Sequence, residues 1–324
     1  MNVLGIDIGY SNLKLAFGKR GAEPKVLLKP AGAAPADRLG EKIADKGKDD
    51  FLRVVVNGTP FAAGLSPDRA ELWSRELHED YPSTDSYRAL FHAGLLLAEL
   101  EQIDLLVTGL PVSQYLNQEL RNRLQSQMTG EHQVTPRRRI TVQAVKVVPQ
   151  PVGGFVDHVW NLKDAAEFED SRVLVVDPGF FSVDWVLISN GELRRQSCGT
   201  SLEASSVILD EAAKLLANDF GGNVGRERLE NAIRLNQIEI RLFGEKIDIS
   251  TYLKAAADKV GPIVATRLRE SLRKENAGAD IVLLVGGGAG FFESSVMEAF
   301  PQLKVTTPES PVYANARGFW RMGN

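Results

Sequence analysis

The chain has 324 residues, of which 44% are hydrophobic and 25% charged; this is ordinary for a globular protein and long enough for two domains. Its net charge of −4 excludes a strongly basic nucleic-acid binder, and its single cysteine, Cys198, excludes an internal disulfide and fits a reducing cytoplasm. No apolar stretch reaches the roughly 18 residues of a membrane span, and Asp7 interrupts the first apolar run, so we expect a cytoplasmic protein without membrane contact.

The first predicted element is a hairpin. An apolar strand over 3–6 runs into Asp7-Ile8-Gly9-Tyr10-Ser11-Asn12, and a second strand follows over 13–17. Backbone N–H groups in a Gly-containing turn, helped by a Ser hydroxyl, can hold phosphate oxygens, and a carboxylate at a strand end can hold Mg²⁺ through water. Lys14 alternates toward one face of the second strand, the face that the hairpin would offer to phosphate.

Strands and helices then alternate to the middle of the chain. Residues 20–50 are rich in Gly, Ala, Pro and Lys, which indicates irregular structure or a small inserted subdomain, and 51–58 indicates a hairpin around Asn57-Gly58. The next predicted elements are a helix over 86–100, a strand over 103–108, a helix over 115–127 and a strand over 140–148. Pro149 and Pro151 then predict a break before a helix that begins near Gly153.

A second hairpin of the same kind begins the second half. An apolar strand over 173–176 runs into Asp177-Pro178-Gly179-Phe180-Phe181-Ser182, and a strand over 183–188 follows. Later elements are a helix over 202–220, short strands within 238–249, a helix over 251–276 and a buried strand over 281–285. A lone strand-end aspartate favours a structural role, but its recurrence in the same setting predicts two halves of one ligand site. The alternation of strands and helices predicts an α/β protein.

The strand over 281–285 ends in a glycine run, Gly286-Gly287-Gly288-Ala289-Gly290. Glycines at a strand-to-helix turn let the backbone approach a flat or charged ligand closely. The run lies far from the first strand, unlike a Rossmann fingerprint, and no Gly-Lys-Ser/Thr follows, unlike a P-loop. A helix over 291–300, a strand over 304–306 and a final helix complete the predicted elements.

The two hairpins and the glycine run, in this order, resemble the actin-type ATPase superfamily of actin, heat-shock chaperone ATPases, sugar kinases and prokaryotic relatives. Residues 7–14 and 177–184 resemble its two phosphate motifs, and 285–290 resembles its adenosine motif. Residues 148–154 and 314–318 resemble its two connecting segments. Within the superfamily, residues 11–14, 108–111 followed by Tyr115, and 318–324 look most like plasmid-segregation filament proteins of the ParM/StbA type.

The resemblance implies an α/β, two-lobed actin-like (ribonuclease H-like) fold, in which each lobe is a mixed sheet flanked by helices and carries a small inserted subdomain. The first lobe is expected over 1–165, with its subdomain at about 20–85. The second is expected over 166–311, with its subdomain at about 203–270. The C-terminal helix over 312–324 is expected to pack back on the first lobe.

The resemblance also implies slow, Mg-dependent ATP hydrolysis with ATP, ADP and Mg²⁺ as ligands. Asp7 and Asp177 would hold the metal through water, and Gln150 would orient the attacking water. The catalytic residues implied are therefore Gln150 and Asp177. Nucleotide contacts are implied for Asp7, Gly9, Tyr10, Ser11, Asn12, Lys14, Gly179, Phe180, Phe181, Ser182, Gly286, Gly287 and Gly288. Relatives usually carry Gly and Thr where this chain has Phe180 and Phe181, and Pro178 is unusual, so altered nucleotide affinity, base preference or turnover is expected.

Two classes of function follow from the resemblance. In the first, the chain is a cytoskeletal ATPase that forms head-to-tail filaments with ATP and moves plasmid DNA through a DNA-binding adaptor, without binding nucleic acid itself. In the second, it is a small-molecule kinase of the sugar-kinase type or a non-polymerising nucleotide switch. Such kinases use an Asp to accept the substrate proton. Gln150 occupies that position here, which favours the filament hypothesis.

Overall fold

The structure, a computed structural model, describes residues 1–40, 50–66, 69, 78, 80–162, 168, 170–273 and 278–323. The chain divides into two units. The first unit contains Met1–Ala166 and Pro308–Asn324, and the second contains Glu167–Thr307.

The first unit is built on a five-stranded mixed sheet. The strands of the whole first unit are β1 (Asn2–Ile8), β2 (Asn12–Lys19), β3 (Lys25–Pro30), β4 (Gly32–Pro35), β5 (Leu52–Val56), β6 (Thr59–Leu65), β7 (Gln102–Ile103), β8 (Leu105–Leu110), β9 (Gly130–Thr135), β10 (Arg138–Val142) and β11 (Val145–Pro149). Its helices before residue 166 are α1 (Asp85–Leu97), α2 (Val112–Leu116), α3 (Gln118–Met128) and α4 (Gln150–Trp160). The large sheet has the order β11-β8-β1-β2-β3, and β4-β6-β5 and β7-β10-β9 form two smaller sheets.

The second unit is built on an equivalent sheet. Its strands are β12 (Arg172–Pro178), β13 (Val183–Ser189), β14 (Glu192–Leu193), β15 (Gly199–Ser201), β16 (Glu239–Leu242), β17 (Glu245–Asp248), β18 (Ile281–Leu284) and β19 (Lys304–Thr306). Its helices are α5 (Ser205–Phe220), α6 (Arg226–Arg234), α7 (Ser250–Arg273) and α8 (Ala289–Ala299). The sheet order is β14-β13-β12-β18-β19, with β15 paired to β13, and β16-β17 is a separate hairpin. The last helix, α9 (Ala314–Arg321), belongs to the first unit.

The two large sheets repeat one topology. In each, an antiparallel hairpin, β1-β2 or β12-β13, is joined on its first strand to a parallel strand, β8 or β18. A further parallel strand, β11 or β19, lies beyond it. The first strand of each hairpin is almost wholly buried, as an apolar run without alternation predicts for a strand covered on both faces. In the first unit, Leu4 and Ile6 pack in the core with α1, and Val3 packs against α9 on the other face.

Several predicted elements are corrected. The stretch over 140–148 is two strands, because Gln143 and Ala144 leave the strand conformation and β10 and β11 join different sheets. The predicted helix over 115–127 is α2 and α3, since Asn117 is extended and its side chain accepts hydrogen bonds from Glu119 N and Leu120 N as the cap of α3.

Other corrections concern helix starts and the first hundred residues. Helix α4 begins at Gln150, and not near Gly153, because Pro is tolerated in the first turn of a helix, where no N–H donor is needed. β3 and β4 lie within residues 25–35, and β3 joins the large sheet; of the two expectations for residues 20–50, irregular structure or a small inserted subdomain, the first is wrong there. Helix α6 is not predicted, and residues 274–276 of the helix predicted over 251–276 lie outside the described residues. None of the helices in the described ranges has both the length and the apolar character that a bilayer span requires.

Candidate functional site

The first hairpin forms a tight turn between β1 and β2. In its register Asp7 lies opposite Lys14, and the Gly9 N–H donates to the Asn12 carbonyl at 3.0 Å. The Asn12 side-chain amide donates to Ser11 Oγ at 3.2 Å, and the Ser11 carbonyl accepts from Ala31 N at 2.8 Å. The turn is therefore held from both sides. Its backbone N–H groups and the Ser11 hydroxyl have the donor chemistry that a phosphate group requires.

Asp7 is the centre of a polar cluster at the end of β1. Its side chain is 1% exposed, and Lys14 Nζ lies 2.8 Å from Oδ2. Gln150 Nε2 donates to Oδ1 at 3.1 Å. A buried carboxylate needs such partners, because an unpaired charge in the interior is costly. The structure thus brings together three predicted site residues that are up to 143 positions apart in the chain.

Gln150 reaches Asp7 because three strands and one helix converge there. β8 lies between β1 and β11, and α4 starts directly at the end of β11. Gly109, near the end of β8, is in contact with Gln150; a Cβ there would come within 2.7 Å of Gln150 Cγ. Gln150 is therefore in the first turn of α4, beside the strand ends.

The Tyr10 side chain is directed away from the turn into an aromatic cluster. Its ring stacks on Tyr81 at 4.6 Å between centroids, and its hydroxyl donates to the His78 carbonyl at 2.8 Å. Tyr81 in turn meets Tyr87 edge to face at 5.3 Å. Burial, with Asp7 nearby, raises the pKa of Tyr87, which therefore stays protonated. Because the Tyr10 side chain is engaged in this cluster, the predicted nucleotide contact of Tyr10 would come from its backbone N–H.

The second hairpin repeats the turn of the first. Asp177 lies opposite Asp184 in the register, and the Gly179 N–H donates to the Ser182 carbonyl at 2.8 Å. The spacing and the turn hydrogen bond are the same as those from Asp7 to Lys14 and from Gly9 to Asn12. The sequence repeat is therefore a repeat of structure.

Asp184 serves as a buried anchor for this second turn. It is 2% exposed and accepts hydrogen bonds from Ser182 Oγ and Thr200 Oγ1, both at 2.6 Å. The Ser182 hydroxyl proton is thus committed to Asp184. This geometry gives Asp184 a structural role in the turn.

Phe180, one of the two residues that depart from the usual Gly and Thr, points into the second unit. Its ring packs against the hydrophobic core of the second unit, and the Arg226 guanidinium lies 5.9 Å from the ring centroid. Pro178 accepts a hydrogen bond from Gly288 N at 2.9 Å through its carbonyl, so the proline ties the second hairpin to the glycine run. Phe181 is half-buried.

The glycine run packs directly on Asp177. Gly286 has a φ of +80°, a left-handed conformation that favours glycine, and a Cβ there would overlap Asp177 Oδ1. Gly288 lies against Pro178 and against Ser205 at the start of α5, whereas Gly287 is exposed. The second unit therefore brings Asp177, Gly179 and the run together at one end of β12 and β18.

These residues fit a magnesium nucleotide by their chemistry. Each unit offers a glycine turn beside a buried strand-end carboxylate, and the first unit adds a lysine. In the part of the chain that the structure describes, no group of three or more His, Cys, Asp or Glu side chains could hold a metal ion alone. Mg²⁺ does not need such a cage, because it keeps several waters and is commonly bound through one or two carboxylates and substrate phosphates.

Sequence reasoning missed a second polar cluster in the first unit. Asp157 on α4 is fully buried between Arg317 and Arg321 of α9, and Asn315 Oδ1 accepts from Gly154 N at 3.1 Å. The signal was present in the sequence, because two arginines four residues apart lie on one helix face and predict a shared acidic partner.

Two family models match the chain. One, described as Actin like proteins N terminal domain, matches residues 5–153, which contain the Asp7 hairpin and Gln150. The other, described as Archaeal actin homologue MreB-like, C-terminal, matches residues 175–298, which contain the Asp177 hairpin and the glycine run. The chain belongs to the actin-like superfamily. Comparison with curated protein sequences gives no significant match.

Solved structures are similar to this actin-like protein over its whole length. Ta0583, an archaeal actin homolog, in complex with ADP superposes with a TM-score of 0.75 at 17% identity, covering 100% of this chain and 99% of that chain. The ParM of a 15-stranded filament from Clostridium botulinum gives 0.72 at 17% identity, covering 99% and 98%. Bacillus thuringiensis ParM with ATP gives 0.65 at 16% identity, covering 99% and 98%. The predicted superfamily and fold class are confirmed, and the ParM resemblance holds for the fold.

Proposed function

We propose that this actin-like protein binds one Mg-ATP with its two hairpins, hydrolyses it slowly and polymerises into head-to-tail filaments in the ATP-bound form. The observation that carries the proposal is the repeated hairpin. Asp7 and Asp177 end equivalent buried strands, pair in the same register seven residues on, and precede turns closed by the same hydrogen bond. Such a repeat supplies phosphate-binding N–H groups and metal-binding carboxylates in both units of one chain.

The first hairpin suggests how the site responds to its ligand. Lys14 and Gln150 are both bonded to Asp7, at 2.8 Å and 3.1 Å. With Mg-ATP bound, the Lys14 ammonium would contact the phosphates and the Asp7 carboxylate would hold the metal through water. If Asp7 Oδ1 turned to the metal, the Gln150 amide would be free to align an attacking water, which an amide can orient but cannot deprotonate effectively. Slow hydrolysis suits this chemistry, since positioning and electrostatics provide most of the catalysis of phosphoryl transfer.

The filament part of the proposal is supported by the similar structures. A ParM from Clostridium botulinum is described as a filament, and a ParM from Bacillus thuringiensis was solved with ATP. A head-to-tail contact between copies of one chain is heterologous and grows into an open filament when the rotation does not close. The net charge of −4 suits cargo attachment through a DNA-binding adaptor better than direct contact with DNA. We propose plasmid segregation in the cytoplasm as the cellular role.

Polymerisation is tested by right-angle light scattering and by pelleting of the purified protein over a range of concentrations. Addition of Mg-ATP is expected to raise the scattering above a threshold protein concentration, and the signal is expected to decay as ATP is consumed. ADP and ATP with chelated Mg²⁺ are the control ligands, and both should give smaller or no signals.

Two results would contradict the proposal at different levels. A flat trace at every concentration, with nucleotide binding and hydrolysis both measured, would remove the filament and favour the kinase or monomeric switch. Absence of nucleotide binding would remove the ATPase itself.

A further inference from the structure

Helices α4 and α9 of the first unit are in backbone contact where they cross. Gly153 and Gly318 meet at the crossing, and a Cβ on Gly318 would overlap the Gly153 carbonyl oxygen. On the other side of α9, a Cβ on Gly5 of β1 would overlap the Ala316 carbonyl oxygen. Because the backbones touch, small shifts of α9 are passed directly to α4, which carries Gln150 at its start.

A buried ion-pair cluster crosses this same interface. Asp157 is fully buried, and its Oδ2 accepts from Arg317 Nε at 2.9 Å and from Arg317 Nη2 at 2.6 Å. Arg321 Nη1 lies 2.8 Å from Asp157 Oδ1 and donates to the Asp157 carbonyl at 2.7 Å. Arg321 Nη2 also donates to Asn161 Oδ1 at 3.0 Å. The two arginines of the cluster therefore contact the last two turns of α4.

Gln150 and the residues that contact α9 through polar groups lie along one stripe, that is, one face of α4. Gln150, Gly154, Asp157 and Asn161 are spaced by four, three and four residues, which places them on the same face of a helix. The Gly154 N–H donates to Asn315 Oδ1 of α9 at 3.1 Å, between Gln150 and Asp157. Rotation of α4 about its axis is thus resisted by directional contacts to α9 along this stripe.

Rotation of α4 about its axis would displace the Gln150 side chain. A side-chain atom roughly 6 Å from a helix axis moves by about 1 Å when the helix turns by 10°. A misplacement of about 1 Å can cost on the order of 100-fold in rate. Gln150 Nε2 already lies 3.1 Å from Asp7 Oδ1, so a shift of that size breaks this hydrogen bond.

We propose that Asp157 is a positioning residue for Gln150, which it holds in register with Asp7 through Arg317 and Arg321. The inference rests on the proposed ATPase function, in which Gln150 orients the attacking water. Packing alone does not fix a helix rotation as an ion pair with two guanidinium groups does, because apolar contacts are not directional whereas guanidinium–carboxylate contacts are. A buried charge cluster contributes little net stability, and one of its attested uses is to specify a single arrangement.

The test is a double-mutant cycle between Asp157→Asn and Gln150→Ala, read by ATP turnover, ATP affinity and melting temperature. Asp157→Asn alone is expected to lower turnover about tenfold with ATP affinity within about twofold of wild type, because helix position and not binding is lost. In the Gln150→Ala background it is expected to cause no further loss of turnover, while its effect on melting temperature persists. Equal losses of turnover in both backgrounds would overturn the inference.

A milder variant and a direct observable keep the test decisive if Asp157→Asn does not fold. Arg317→Lys keeps the charge but removes the two-pronged contact, and it should give the same pattern at smaller size. Arg139→Lys, which changes an exposed pair with Glu131 at 2.9 Å, is the matched control and should change nothing. The Gln150 side-chain amide resonance, assigned by its loss in Gln150→Ala, should move in Arg317→Lys and not in Arg139→Lys; an unmoved signal in Arg317→Lys would also overturn the inference.

Failure of the proposed function would be seen separately. If the wild-type protein turns over no ATP, the ATPase proposal fails, and the amide resonance still reports whether Asp157 positions Gln150.

Discussion

The two hairpins share a backbone and differ in charge. Opposite Asp7 the first hairpin has Lys14, a cation; opposite Asp177 the second has Asp184, an anion held by two hydroxyl groups. Duplication of the fold thus places a carboxylate at the same point twice, and the neighbouring side chain decides its use. Lys14 gives the first hairpin a cation that can contact phosphate, whereas the second hairpin has a second carboxylate at that position. We expect the two units to contribute unequally to the chemistry.

The largest effect is expected from Asp177→Ala. Loss of this carboxylate should lower Mg-dependent ATP hydrolysis by at least about 100-fold, the scale on which one electrostatic contact to a transition state acts. The measurement is phosphate release as a function of Mg²⁺ concentration. Asp37→Ala, at an exposed position, is the control and should behave as wild type. Unchanged phosphate release in Asp177→Ala would remove the second hairpin from the site.

Gly286→Ala tests whether the glycine run holds Asp177 in place. The new methyl group meets both a left-handed φ of +80° and the Asp177 carboxylate. We expect a loss of about 1–2 kcal/mol of unfolding free energy from the φ alone, and about 1–3 kcal/mol more from the contact. Gly191→Ala shares the positive φ but has nothing within 4 Å, so it isolates the first cost. Equal losses of unfolding free energy in the two variants, measured by chemical denaturation, would mean that Gly286 does not pack against Asp177.

Gln150→Ala is expected to slow hydrolysis without weakening ATP binding. The expected fall in turnover is at least about tenfold, equivalent to about 1.4 kcal/mol of transition-state stabilisation. Assemblies should last longer as a result, which light scattering measures after ATP addition. The exposed Gln143→Ala is the control. Wild-type turnover in Gln150→Ala would exclude this residue from the mechanism.

Acid is expected to lower the stability of the first unit more than that of the second, because all four histidines lie in the first unit. Burial lowers the pKa of His92 from 6.5 to about 4, and Arg88 and His132 add repulsion for the proton. The unfolded chain therefore takes up this proton between pH 6.5 and 4 while the folded chain resists it, so stability is complete above pH 6.5 and falls below it. Lowering the pH from 7.5 to 5.5 should cost roughly 1 kcal/mol through this residue.

Chemical denaturation at both pH values measures the effect. His92→Gln should lose less stability between them than wild type, whereas the exposed His78→Gln should lose as much. An unchanged difference in His92→Gln would show that the acid sensitivity lies elsewhere.

The sequence predicted the hairpins well because their signals are local. An apolar run, an acidic residue and a glycine turn specify β1-β2 and β12-β13 without reference to the rest of the chain. Residues 140–148 were misread for the opposite reason: alternation continues across Gln143-Ala144, and only long-range pairing shows that β10 and β11 join different sheets. The start of α4 was misplaced because Pro149 and Pro151 indicate a break and a helix start equally well.

The residues of the candidate site were predicted from the sequence, but the hydrogen bonds between them were not. Asp7, Lys14 and Gln150 were each assigned to the site, but their hydrogen bonds to one another depend on the convergence of β1, β11 and α4. Tyr10 was assigned to the site as a residue, and the stacking of its ring on Tyr81, 71 positions away, is a contact that no local pattern reveals. Asp157 was missed because its two arginine partners are 160 and 164 positions distant.

The measurement that tests the central claim most directly is an equilibrium titration of ATP, with and without Mg²⁺, into the wild-type protein and into Lys14→Ala and Asp177→Ala. The account predicts one nucleotide per chain, weakened by Lys14→Ala in both conditions, and a Mg²⁺-dependent gain in affinity that Asp177→Ala removes. Two independent nucleotides per chain, or an affinity that either variant leaves unchanged, would contradict the claim that both hairpins take part in binding one Mg-ATP.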